Sequence, residues 1–147
     1  MKLFRISSLA HPIFSGVGSA LSGARWNSKG NTAIYTATSL AGAKLELLAH
    51  VGFADLPQNY GFVVVDVPDH IGVHAFRGKE VPTGIVSVMW GDNWLKRGKT
   101  LLAKVPSAAS PGEFNFLVNP FHPDFRQLKV SKEKPARWDS RHFQSSN

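Results

Sequence analysis

A chain of 147 residues that is 43% hydrophobic can bury one real core and is too short for two, so residues 1–147 are expected to form a single domain. It holds no cysteine, which excludes disulfides and thiolate metal sites and points to a reducing compartment, the cytoplasm. With 17 Lys and Arg against 10 Asp and Glu the net charge is +7, which favours an anionic partner (nucleic acid, phosphorylated small molecule or acidic protein) without choosing among them.

The N-terminal "MKLFRISSLAHPIFSG" is broken by Arg5 and His11 where a signal peptide needs an apolar run, and later apolar stretches are strand-sized, so neither a leader nor a membrane span is expected. "KLFRI" is a candidate strand. "TAIYTA" alternates, with Ala33, Tyr35 and Ala37 on one face and Ile34 and Thr36 on the other. Ser39 is a good N-cap for a helix through "LAGAKLELLAHVG" that stops near Gly52. Leu40, Leu47, Leu48 and Val51 share one face of it, while Glu46 is flanked by Gly42, Ala43, Ala49 and His50. That places a carboxylate in a groove of small side chains, open to close approach. A plain alternative is a surface Glu46 paired with His50 one turn on.

"GFVVVDVP" is apolar almost throughout and belongs in a sheet interior, ended by Pro68. His70 and His74 have helical ligand spacing, but Pro68 and Gly72 argue against a helix, so they read as exposed loop histidines and no metal site is expected. "RGKT" at 97–100 imitates the end of a phosphate-binding loop, yet Asn93 stands where that motif needs glycine and a strand follows. The strands "TLLAKVPS" and "EFNFLVN" are joined by a turn containing Pro111-Gly112, and "QLKVS" closes the series. Five or six strands with few helices make an α+β domain with a mixed, mostly antiparallel sheet. Six of the 17 basic residues (Arg126, Lys129, Lys132, Lys134, Arg137 and Arg141) crowd the C-terminal stretch without interleaved aromatics, which fits a solvated face better than a nucleic-acid patch. The final "SSN" reads as frayed.

Taken in order, "LFRIS", "GARWNSKG", "AIYTATSLAGAKLELLAH", "VPSAASPGEFNFLVNPFHPDF" and "ARWDSRHF" resemble the successive blocks of the RES-domain family, the toxins of RES-Xre toxin-antitoxin systems, over residues 3 to about 143. The resemblance implies a fold related to the ADP-ribosyltransferase toxins. It also implies cleavage of NAD+ at the nicotinamide-ribose bond, by hydrolysis or phosphorolysis, or ADP-ribosylation of a protein. NAD+ would be substrate, with no separate cofactor and inorganic phosphate as a co-substrate in the phosphorolytic case. The partner implied is an Xre-type helix-turn-helix antitoxin, with room for a toxin homodimer inside the complex. The family's catalytic arginine, glutamate and serine fall on Arg25, Glu46 and Ser107, and Arg5 and Tyr35 sit where it has further site residues. Ala24 replaces a glycine common in the family.

The residues suit that chemistry. Breaking the bond leaves an oxocarbenium-like centre and a neutral leaving ring, so one placed carboxylate can serve without a general acid. Arg5 and Arg25 offer forked donors to a diphosphate, Tyr35 an aromatic face to a cationic pyridinium, Ser107 a hydroxyl to ribose or phosphate, and Asn119 an orienting amide. A reading of another class, an RNA-binding or RNA-cleaving toxin, would need an acid-base pair such as His50 with Glu46 or His122 with Asp124. A non-catalytic interaction domain is the third.

Overall fold

The computed structural model describes residues 1–52, 58–139 and 141. The segment 53–57 and the end of the chain, including part of "ARWDSRHF" and all of "SSN", lie outside the described residues. Strand β1 (Lys2–Ser8) opens the chain, followed by a short helix α1 (Val17–Ser22), strand β2 (Ile34–Ala37), helix α2 (Leu40–Val51), β3 (Tyr60–Asp66) and β4 (Val73–Ala75). Helix α3 (Val86–Arg97), β5 (Leu102–Pro106), β6 (Phe114–Val118), a 3-10 turn (Pro123–Gln127) and the two-residue strands β7 (Lys129–Val130) and β8 (Lys134–Pro135) complete it.

The strands make one sheet in the order β4-β5-β6-β2-β1-β3-β7, with β8 also on β3. Every pairing is antiparallel except β4 with β5, so the sheet is mixed and mostly antiparallel, as its alternating pattern predicts. β3 lies inside the sheet between β1 and the β7 and β8 segments, the place its continuous apolar run requires. The alternation of β2 also holds: Ile34 enters one core with Leu3, Val63, Val65 and Val118, while Tyr35 packs against a second core of Trp26, Trp94, Ala103, Val105 and Leu117.

β1 runs beside β3 through seven residue pairs but meets β2 only at Phe4↔Ala37. Beyond that pair the sheet parts, and a main-chain carbonyl on the parted edge needs another donor. Arg5 supplies it, donating from Nη1 to the Tyr35 carbonyl at 3.0 Å and from Nε to the Ile13 carbonyl at 2.6 Å. A side chain thus stitches the opening.

Some elements differ from the sequence reading. α3 was hidden by Gly91-Asp92-Asn93, a loop-like triplet in mid-helix. Gly91 is there because a Cβ would stand 1.7 Å from the Trp26 carbonyl oxygen, so the helix lies directly on the Trp26 backbone. His74 is exposed but belongs to β4, where its ring stacks on Trp90, and not to a loop. "QLKVS" contributes only Lys129 and Val130 to the sheet, because Gln127 ends the 3-10 turn. The six C-terminal basic residues are all exposed. Among the described residues no helix is long and apolar enough to cross a membrane.

Candidate functional site

α2 begins where expected: the Ser39 hydroxyl accepts from the Gly42 amide at 2.9 Å, and Gly52, at φ 75°, ends it. The small residues one turn before Glu46 serve a purpose other than the open groove predicted. Ala43 is buried, and a Cβ at Gly42 would touch the Cβ of Ala37 at 3.5 Å, so this flank lies close upon β2. Close packing is what brings Glu46 over the sheet. Ala37 is the register partner of Asn115, and Glu46 Oε1 accepts from Asn115 Nδ2 at 2.7 Å and from the Ser107 hydroxyl at 2.6 Å.

Ser107 follows the last residue of β5, with its amide bonded to the Glu113 carbonyl across the β5-β6 turn. Its Oγ accepts from the Ser110 amide at 3.0 Å, which turns its proton toward Glu46. Among the described residues Oε2 of Glu46 accepts nothing, and Glu46 makes no ion pair with the exposed His50. The plain alternative of an i, i+4 pair is therefore not what holds this carboxylate. Asn115 escaped the sequence reading, although an asparagine between two phenylalanines inside a strand is a signal in itself.

Along the same face of β2, two residues or roughly 7 Å from Ala37, stands Tyr35. Its hydroxyl donates to Asn27 Oδ1 at 2.6 Å and accepts from the Trp26 amide at 3.0 Å. Burial pushes the phenol above its ordinary range, with the Asp92 charge adding, while the Trp26 amide and the Arg25 charge pull the other way. Tyr35 therefore remains a neutral donor anchoring the 23–31 loop. In that loop Ala24 and Asn27 bridge each other, Gly23 turns at φ 69°, and Asp92 of α3 accepts from the Ser28 amide at 2.9 Å and hydroxyl at 2.6 Å. Ala24 keeps an ordinary negative φ, so the missing glycine costs the turn nothing. Trp26 is buried beneath the turn, and Arg25 at its tip is exposed, close enough for its charge to act on Tyr35, and bonded to no described residue.

The structure thus gathers Glu46, Ser107 and Asn115 at one end of a sheet face and Tyr35 and Arg25 at the other. Arg5 and Asn119 each hold main-chain groups. Two of Arg5's three guanidinium nitrogens are engaged by main-chain carbonyls, and burial lowers its pKa to about 10. Asn119 lies past the far end of β6 from Asn115, roughly 13 Å along the strand, where its Oδ1 accepts from the Phe121 amide at 3.0 Å. Among the described residues no group of three or more His, Asp or Glu could hold a metal ion.

A curated relative from Sphingobium sp. (strain YBL2), the Prs ADP-ribosylating toxin, is 35% identical over 136 residues, covering 86% of this chain and 84% of its own. A protein named Toxin Res from Pseudomonas putida (strain KT2440) is 32% identical over 138 residues, covering 90% and 94%. Among solved structures, one from the M. tuberculosis MbcT-MbcA toxin-antitoxin complex matches with a TM-score of 0.74 at 19% identity, over 92% of this chain and 83% of that one, and shares its fold. The RES domain model matches residues 2–139, and with these relatives it shows that the chain belongs to the RES domain family.

Proposed function

We propose that this protein is the toxin of a toxin-antitoxin pair and that it cleaves the nicotinamide-ribose bond of NAD+. The observation that carries the reading is the Glu46 carboxylate, with Oε1 fixed by Ser107 and Asn115 and Oε2 bonded to no described residue. Fixing one oxygen orients the other, and a preoriented carboxylate stabilises positive charge developing at the anomeric carbon without reorganisation during the reaction. When that bond breaks, its electron pair goes to the ring nitrogen and nicotinamide leaves neutral. An acceptor atom then bonds to the anomeric carbon, and a water or side-chain acceptor gives its proton up to solvent.

Arg25 offers its whole fork to the diphosphate, and Tyr35, packed on the second core, anchors the loop that carries it. Arg5 contributes by holding the parted sheet beneath them. The acceptor is water or phosphate in a glycohydrolase or phosphorylase. It is a protein side chain in a transferase, the reading favoured by the name of the Sphingobium relative. The RNA-cleaving reading finds less support. Glu46 and His50 make no ion pair with each other, and His122 Nδ1, 3.8 Å from the Asp124 carboxylate, is taken up by the Asp124 amide at 3.1 Å as the cap of the 3-10 turn.

A cytoplasmic Xre-type antitoxin would act most simply by placing an acidic or carboxyl-terminated segment against Arg25. The test is purified protein incubated with NAD+ and, separately, with total RNA. Release of nicotinamide with intact RNA is the expected result. Mass spectrometry of the sugar product with and without phosphate, and of added cell proteins, then identifies the acceptor. Intact NAD+ beside degraded RNA would overturn the proposal.

A further inference from the structure

A cavity of about 590 Å³ opens between α3, the 30–32 segment and the turn after β6, and none of Arg25, Tyr35, Glu46 or Ser107 lines it. Its volume is that of a small-molecule site. Among the described residues, three donors in its wall find no acceptor. Asn119 is only 4% exposed; its Oδ1 is used by the Phe121 amide, while Nδ2 donates to no described residue. Among the described residues the buried side-chain polar atom without a partner is Trp138 Nε1, so Asn119 Nδ2 is open to the cavity. His122 Nδ1 accepts from the Asp124 amide and stands 3.8 Å from the Asp124 carboxylate, while Nε2 is bonded to no described residue. Lys96 is exposed and pairs with no described acid. The single acid in the wall, Asp92, has both oxygens occupied by Ser28. Leu95 and the ring of Phe121, 80% exposed, add an apolar side.

Donors without acceptors beside an exposed aromatic ring suit an oxyanion carried on a flat body. We propose that this cavity is a second ligand site, for a small oxyanion-bearing metabolite, separate from the Glu46 cleft. The site does not depend on the NAD+ reading, since no residue assigned to that reaction, save Asn119 as first expected, belongs to it.

The experiment follows the Asn119 side-chain amide and the His122 ring by NMR in the full chain, titrated with AMP, inorganic phosphate or adenosine. AMP is expected to shift both signals saturably, and adenosine is not. Phosphate acting alone would show that the headgroup suffices, and AMP acting without phosphate that the flat body contributes; both results uphold the site. Lys96→Glu, a change at an exposed position, should weaken AMP about tenfold or more by placing like charge beside the anion, while Arg25→Glu, which places an acid where the other cleft would hold a diphosphate, should leave AMP binding unchanged. Three results would overturn the proposal: signals unmoved by either anion, adenosine acting as strongly as AMP, or AMP binding lost with Arg25→Glu, which would move the ligand to the other cleft.

Discussion

Ser107 has one hydroxyl proton, and by accepting from the Ser110 amide it is set to give that proton to Glu46. Replacing Glu46 by Gln keeps the shape and removes the charge. If the carboxylate stabilises an oxocarbenium-like centre, nicotinamide release should fall on the order of 10²- to 10³-fold at saturating NAD+, with binding nearly unchanged. A Glu46→Gln protein that folds, binds and turns over at the parental rate would remove Glu46 from the reaction. Arg25→Lys is the complement, because it keeps the charge and loses the fork, and should raise KM more than it lowers kcat. Tyr35 supports a pH prediction. Its folded pKa is raised above the ordinary value of 10.0, chiefly by burial, so the neutral phenol is the form the fold favours. Its stabilisation is fully present below about pH 10 and is lost as pH rises and the unfolded chain ionises. Arg5 acts with the opposite sign in that window, since its pKa is lowered to about 10 and the unfolded chain holds the proton longer. Comparing wild type with Tyr35→Phe cancels the Arg5 contribution. The stability advantage of wild type should be constant from pH 7 to about 9 and shrink above about 10. An advantage that widens with pH would contradict the burial of the phenol.

Among the elements, α2 could be read from the chain and α3 could not, and the reason is the same kind of contact. Both helices use a glycine to lie close on a neighbour: Gly42 faces Ala37, and Gly91 faces the Trp26 carbonyl. At Gly42 the contact falls one turn from a clear Ser39 cap, so local signals dominate. At Gly91 the helix lacks a side-chain cap bond at Ile85 and the tertiary contact overrides weak local propensity. The short strands β4, β7 and β8 are two or three residues long, too brief for alternation to register. In the candidate site, Glu46, Ser107, Arg25 and Tyr35 were legible through ordered sequence blocks, and the first two are joined by a hydrogen bond. Asn115 was missed because its role depends on the register that sets it opposite Ala37. Gly91→Ala tests the α3 contact. Alanine is the better helix former by about 1 kcal/mol, yet its Cβ would meet the Trp26 backbone, so a net loss of roughly 1–3 kcal/mol is expected in denaturant unfolding. A stabilised variant would mean that the helix does not press on Trp26.

At the scale of the whole molecule, the sheet carries a core on each face and parts between β1 and β2 after a single residue pair. A sheet that opens in its middle exposes main-chain groups along both lips, and Arg5 ties one lip to the 9–13 segment by bonding carbonyls from two distant stretches of chain. The residue expected at the diphosphate also braces the fold. Lysine offers one nitrogen on a flexible stem and cannot reproduce two fixed donors, so Arg5→Lys should leave either the Ile13 or the Tyr35 carbonyl without its partner. A buried acceptor left unpaired costs about 1–3 kcal/mol, and the denaturation midpoint should fall accordingly. Among molecules that remain folded, nicotinamide release should change by less than about threefold, because Nη2 alone is left to face a substrate. Arg25→Lys predicts the reverse, a stability within about 0.5 kcal/mol of wild type for an exposed side chain and a raised KM. Measuring midpoint and KM for both variants separates the two arginines. A stable Arg5→Lys protein with a sharply raised KM would show that Arg5 binds the diphosphate directly, and that the parted sheet is held by other contacts.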